Sequence, residues 1–211
     1  MAALVPEHIE ALVPYQPGKP VEEVERELGI SGCAKLASNE NPLGPSPKAV
    51  EAIRGALDTL HFYPDGGAFY LRQAIAEHFG LNHNQILIGN GSNEILELLI
   101  RTFLVPGTHV VTSEATFIVY RLATQAHGFD LRAAPLGANW GYDLDAMLGL
   151  VDQNTRLIFI ANPNNPTGTH ISAAALDRFV RAVDDRCAAD PPVLVVDEAY
   201  FEYVDAPDYP D

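Results

Sequence analysis

Asp197 and Tyr200 stand just past Val193-Leu194-Val195-Val196, an apolar run of strand length. A carboxylate at the carboxyl end of a strand is well placed to meet a ligand, although a lone Asp there more often caps a turn. The stretch Leu157-Ile158-Phe159-Ile160-Ala161-Asn162-Pro163-Asn164-Asn165-Pro166-Thr167-Gly168 repeats the pattern, an apolar run ending in turn formers. Pro163 and Pro166 lack an N–H and keep the preceding Asn162 and Asn165 out of the α region. Asn165 is therefore expected in extended or turn geometry at a second strand end. A third is Gly89-Asn90-Gly91-Ser92-Asn93-Glu94, which leaves a strand and opens a helix. Its N–H groups at the positive helix end suit a phosphate; the simpler alternative is a glycine turn with Ser92 as N-cap. No glycine stands at position 94, which disfavours a dinucleotide fingerprint, and no Gly-Lys-Ser/Thr occurs, which excludes a Walker loop. Phe117 lies beyond a further strand, where an aromatic is usually core.

The elements that must position these groups follow from the pattern around them. Strands are expected at Gln85–Ile88, His109–Thr112, Phe129–Ala134, Leu157–Ile160 and Pro192–Val196. Helices are expected at Val21–Leu28, Pro47–Asp58, Phe69–Phe79, Ser92–Phe103, Phe117–Ala126, Leu144–Leu150 and Ala173–Cys187. Ser46 and Pro47 read as an N-cap and N1 pair. Pro6–Pro20, with Pro14-Tyr15-Gln16-Pro17-Gly18-Lys19-Pro20 at its centre, reads as an irregular extended arm. Strands alternating with helices predict an α/β fold, a mostly parallel sheet with helices on both faces.

The 211 residues, 47% of them hydrophobic, suffice for one substantial core. A formal net charge of −15, from 13 basic and 28 acidic side chains, argues against a nucleic-acid or anionic-membrane partner. Cys33 and Cys187 are the only cysteines, with neither disulfide-framework nor zinc spacing, and fit a reducing compartment. None of the seven histidines has a metal-spaced partner, so no metal is expected. Met1–Val5 lacks the features of a signal peptide, and no apolar run has membrane-spanning length. A cytoplasmic protein is the expectation.

Asn-Asn-Pro-Thr-Gly after a hydrophobic strand, and Asp-Glu-Ala-Tyr after Val-Leu-Val-Val about thirty residues later, together resemble the fold-type I aminotransferases, which use pyridoxal 5′-phosphate. Val13-Pro14-Tyr15-Gln16-Pro17-Gly18-Lys19-Pro20, Ser38-Asn39-Glu40-Asn41-Pro42 and Tyr63-Pro64-Asp65 narrow the resemblance to the histidinol-phosphate aminotransferases, over the whole chain. The resemblance implies that Ser92 and Asn93 hold the cofactor phosphate and that Phe117 lies on the pyridine ring. It implies that Asp197 keeps the ring nitrogen protonated, as carbanion stabilisation requires, and that Asn165 and Tyr200 reach the O3′ oxygen. Tyr15 and Asn39 would touch substrate. Tyr63 would reach the cofactor phosphate of a neighbouring subunit in a homodimer. Residues 1–45 would form an arm and part of a small domain, and 46–211 the cofactor-binding large domain, incomplete at its C-terminus. Ala115 replaces the proline usual in the family before Thr-Tyr or Thr-Phe, a departure that leaves the stacking ring in place.

Transamination needs a lysine to bind the cofactor and shuttle a proton. Only Lys19, Lys35 and Lys48 occur, all near the N-terminus; the family's lysine comes after Asp-Glu-Ala-Tyr and one further strand. The chain is thus expected to be the N-terminal part of a longer enzyme, inactive by itself and with the apolar edge of its last strand uncovered. The expected reaction of the whole is amino transfer between histidinol phosphate and 2-oxoglutarate. An aromatic aminotransferase, a threonine-phosphate decarboxylase and a non-catalytic phosphate-binding module are the alternatives.

Overall fold

The structure, a computed structural model, describes residues 4–210. Met1–Ala3, part of the stretch read for a leader, and Asp211 lie outside the described residues. In chain order the elements are α1 (Glu7–Glu10), α2 (Val21–Leu28), α3 (Pro47–Ala56), α4 (Phe69–Phe79), α5 (Gly91–Phe103), β1 (His109–Ser113), α6 (Ile118–Ala126), β2 (Asp130–Ala134), α7 (Leu144–Leu150), β3 (Thr155–Ala161), α8 (Ala173–Arg186) and β4 (Val193–Asp197). Two compact units share them: residues 1–14 with 89–211, and residues 15–88.

The larger unit holds a four-stranded sheet in the order β2-β1-β3-β4, every pairing parallel. The chain moves from β1 to β2 on one side and then returns to β3 on the other, so the order reverses at β1. In open parallel sheets that reversal, at the carboxyl ends of the strands, is where ligands bind.

The pleat divides the core between two faces. Val110, Leu157, Phe159 and Ala161 pack with Leu96, Ile100, Tyr120 and Ala123 of α5 and α6. Val111, Ile158 and Ile160 pack with Met147 of α7 and with Phe179 and Val183 of α8. A strand buried on both sides is mostly apolar, which is why β3 reads as a hydrophobic run from Leu157 to Ala161, while the buried Thr112 of β1 bonds the Phe159 carbonyl and the buried His109 and Thr155 bond each other. Among the described residues β4 pairs with β3 alone, and all five of its residues stay partly exposed.

Two expectations need correction. Gln85–Ile88 is not a strand: His83–Gln85 form a 3-10 turn, and Ile86 is extended but pairs with no strand among the described residues. An extended segment becomes a strand only through a neighbour that takes up its hydrogen bonds. The Pro6–Pro20 stretch holds one helical turn, α1, where Pro6 is tolerated because the first helical N–H groups need no internal partner. Ser46 precedes the helix as expected, with Pro47 in its first turn, yet its side chain makes no capping hydrogen bond.

The 15–88 unit contains α2 to α4. Gly29 ends α2 in the left-handed conformation, φ +65°, that glycine adopts without a Cβ penalty. The Glu25 carboxylate takes the Cys33 N–H at 3.0 Å, tying the following loop to the helix. Asp65 accepts from the N–H groups of Gly67 and Phe69, which lowers its pKa and shapes the start of α4. None of these three helices has a buried residue.

Candidate active site

Strand carboxyl ends and one helix start build a single cavity. β3 runs out at Ala161 and delivers Asn162-Pro163-Asn164-Asn165. β4 ends at Asp197 and delivers Ala199 and Tyr200. The loop after β1 brings Phe117 to the start of α6, and α5 begins at Gly91 with Ser92 in its first turn. Ser92, Phe117, Asn165, Asp197 and Tyr200, with Ala161, Pro163 and Ala199, line a cavity of about 150 Å³. A more open groove of about 410 Å³ shares Ser92, Asp197 and Ala199 and runs along Val195 and Val196 of β4 beside Ile95 and Leu96.

Local geometry explains each placement. Gly91 has φ +72°, a conformation that favours glycine, and a Cβ on Gly89 would lie 2.7 Å from Ile95 Cδ1, so a side chain there would have to displace the Ile95 end. The Glu94 carboxylate accepts from the Asn90 N–H at 2.6 Å and so fixes the turn from within the helix. Asn90 occupies the N-cap position; Ser92 lies inside the first turn rather than capping it. Two buried asparagines hold the loop after β3. Asn162 donates to the Ile171 carbonyl at 3.2 Å and accepts the Ile171 N–H at 2.8 Å. Asn164 donates to the Ala115 carbonyl at 2.9 Å, joining the loops that carry Asn165 and Phe117.

Asp197 is held from two sides. Its Oδ2 accepts from the Tyr120 hydroxyl at 2.9 Å and its Oδ1 from the Ala199 N–H at 3.2 Å. Burial, then the facing Asp197 charge, push the Tyr120 phenol far above its ordinary pKa, so it stays a neutral donor. The Tyr142 hydroxyl accepts from the Ala161 N–H at 2.9 Å, donates to Asn164 Oδ1 at 3.0 Å and lies 2.7 Å from Thr116 Oγ1. Burial pushes its pKa up as well. The Tyr209 hydroxyl donates to the Asn162 carbonyl and sits 3.4 Å from Glu198 Oε1. Burial and Glu198 push that phenol up to about 12.

Five of the nine candidate residues thus meet at one cavity. Asn93 lies beside Ser92 in the first turn of α5, exposed and outside the lining. Tyr15, Asn39 and Tyr63 belong to the 15–88 unit, on non-helical segments; the Tyr63 ring is fully exposed there. The supporting phenols Tyr120, Tyr142 and Tyr209 escaped the sequence reading. Tyr120 had a signal: it falls one helical turn after Phe117, on the stripe of α6 that continues to Ala123 and Thr124.

The family model for aminotransferases of class I and II matches residues 31–210. The chain belongs to this family. Curated relatives of this aminotransferase chain include histidinol-phosphate aminotransferase of Anaeromyxobacter sp. (strain Fw109-5), 51% identical over 99% of the chain and 56% of the relative. Histidinol-phosphate aminotransferase 2 of Pseudomonas aeruginosa is 51% identical over the same share of each chain. A crystal structure of histidinol-phosphate aminotransferase from Sinorhizobium meliloti in complex with pyridoxal-5'-phosphate matches with a TM-score of 0.83 at 30% identity, over 99% of this chain and 54% of that one. An aspartate aminotransferase of Thermotoga maritima, at 22% identity and TM-score 0.80, shows the fold alone. The fold is the fold-type I aminotransferase large domain, and the aminotransferase chain spans about half the length of the relatives it matches.

Proposed function

We propose that this chain carries the cofactor-binding half of a histidinol-phosphate aminotransferase, with residues 1–45 serving as arm and part of a small domain and 46–211 as large domain. The observation behind this reading is the convergence of an aromatic face, Phe117, a clamped carboxylate, Asp197, and a helix-start hydroxyl, Ser92, on one cavity, in a chain 51% identical to enzymes of that name.

The donor set fits pyridoxal 5′-phosphate, an aromatic ring carrying a phosphate, a basic ring nitrogen and a phenolic oxygen. Ser92, with Asn93 beside it, would hold the phosphate at the positive end of the 13-residue helix α5. Phe117 would stack on the ring, Asp197 would hold a proton at the pyridine nitrogen, and Asn165 and Tyr200 would bond the phenolic oxygen. When bound, the cofactor supplies an electron sink for carbanion chemistry. Tyr15 and Asn39 are assigned to substrate, and Tyr63 to the phosphate of a partner subunit in a homodimer. No helix among the described residues is long and apolar enough to cross a membrane, and a cytoplasmic enzyme acting on small amino and keto acids is the reading adopted.

Residues 89–211 contain no lysine, so the 211-residue chain is expected to bind the cofactor weakly at best, without a covalent bond to any cavity residue, and not to turn over. The deciding experiment joins residues 1–211 to the remaining C-terminal part of the Anaeromyxobacter relative. Glutamate formation from histidinol phosphate and 2-oxoglutarate by that chimera is the expected result. Preference for aromatic amino acids, or decarboxylation of threonine phosphate, would replace this reading with one of its relatives.

A further inference from the structure

Tyr120 is fully buried behind the cavity and contacts two of its lining residues. Its hydroxyl donates to Asp197 Oδ2 at 2.9 Å, and its ring meets Phe117 edge-on, with centroids 5.6 Å apart and planes at 86°. On its other side the ring stacks on Phe159 of β3, at 4.9 Å and 17°. Its backbone N–H bonds the Phe117 carbonyl at 3.1 Å, and its own carbonyl takes the buried Thr124 hydroxyl at 2.7 Å. Ring, backbone and helix therefore leave the phenol little freedom, and its oxygen marks a fixed point at the end of β4.

A carboxylate offers about four acceptor sites. Tyr120 and the Ala199 N–H occupy one on each oxygen, which pins the plane of the group and leaves the other sites for a ligand in the cavity. We propose that Tyr120 is a positioning residue that orients the Asp197 carboxylate and the Phe117 ring as one unit, so that a protonated ring nitrogen and a ring face are recognised together. This rests on the cofactor reading above and extends it to a residue that touches no ligand.

Binding and stability cycles of the 211-residue chain test it, using Tyr120→Phe, Asp197→Asn and the double variant. Tyr120→Phe keeps the ring contacts and removes only the donor. A hydrogen bond to a charged group sets the scale, so Tyr120→Phe is expected to weaken pyridoxal 5′-phosphate binding about tenfold. Its effect on inorganic phosphate, a probe of the helix end alone, is expected to stay within about twofold, because Tyr120 acts through Asp197. In the Asp197→Asn background the same change is expected to lose most of its effect on cofactor affinity. Equal weakening of phosphate and cofactor, or an undiminished effect beside Asp197→Asn, would reduce Tyr120 to general packing and overturn the proposal. Should neither the parent chain nor its chimera with the Anaeromyxobacter C-terminal part bind cofactor, the cofactor reading falls by itself. The ligand-free cycle in urea then decides the clamp: non-additive effects of the two substitutions support it, and additive ones overturn it.

Discussion

The Asn162 N–H donates to the Asp197 carbonyl at 2.9 Å, so the last rung between β3 and β4 joins the asparagine-proline loop to the residue that carries the site carboxylate. The Asn162 side chain is fully buried and bonds both backbone groups of Ile171. One residue thus aligns two strand ends and the segment leading into α8. Asn162→Ala leaves the Ile171 N–H and carbonyl unpaired, and is expected to cost about 2–4 kcal/mol in urea unfolding. Asn162→Asp is expected to fare little better, because a carboxylate cannot donate to that carbonyl.

Tyr142 closes the other side of the loop. Its hydroxyl is the partner of the Ala161 N–H and of Asn164 Oδ1. Tyr142→Phe preserves the packing but orphans a buried N–H, at an expected cost of about 1–3 kcal/mol. Because Asn164 precedes the cavity residue Asn165, cofactor affinity should drop with it. A stability loss under about 0.5 kcal/mol, within the range of a neutral surface change, would show that Asn164 is held by other bonds.

At the opposite end of the sheet, His109 is buried, with Nε2 2.8 Å from Thr155 Oγ1 and 3.9 Å from Asp152 Oδ1. Burial, followed by Arg132, lowers its pKa below 6.5, against weaker opposing pulls from Asp152 and Asp130. The unfolded chain therefore binds a proton near pH 6.5 that the folded chain takes only at lower pH. Stability is flat above that point and falls as pH drops through the folded pKa. His109→Gln is expected to flatten denaturation midpoints between pH 7.5 and about 5. Asp152, held down chiefly by its Arg132 hydrogen bond, acts in a lower window: its contribution is complete above pH 3.8 and is lost as pH falls through its folded value.

Where a strand is buried on both faces, the sequence announces it. The runs His109–Thr112 and Leu157–Ile160 each match a buried strand to within a few residues, and Pro192–Val196 matches the half-buried β4, because parallel pairing beneath covering helices favours apolar, β-branched side chains. Gln85–Ile88 misled because the same local pattern makes a strand only with a neighbour, and a neighbour is not a local property. The site divides the same way. Ser92, Phe117, Asn165, Asp197 and Tyr200 sit at strand ends or a helix start, which turn chemistry marks in advance. Tyr120, Tyr142 and Tyr209 act across 77, 19 to 26 and 47 residues of sequence, where no spacing rule applies.

Ser92 offers the cleanest separation between a helix device and an anion site. It lies in the first turn of α5, where a negative side chain is favourable to the helix by about 0.3–1 kcal/mol. Ser92→Asp should therefore leave the ligand-free chain as stable as before, or more so. The same charge would stand against a phosphate at that helix end, so affinity for pyridoxal 5′-phosphate and for inorganic phosphate should each fall by about tenfold or more. Opposite signs in the two measurements identify the turn as a phosphate cradle. A variant that gains stability and still binds both ligands normally would return Ser92 to an ordinary helix start.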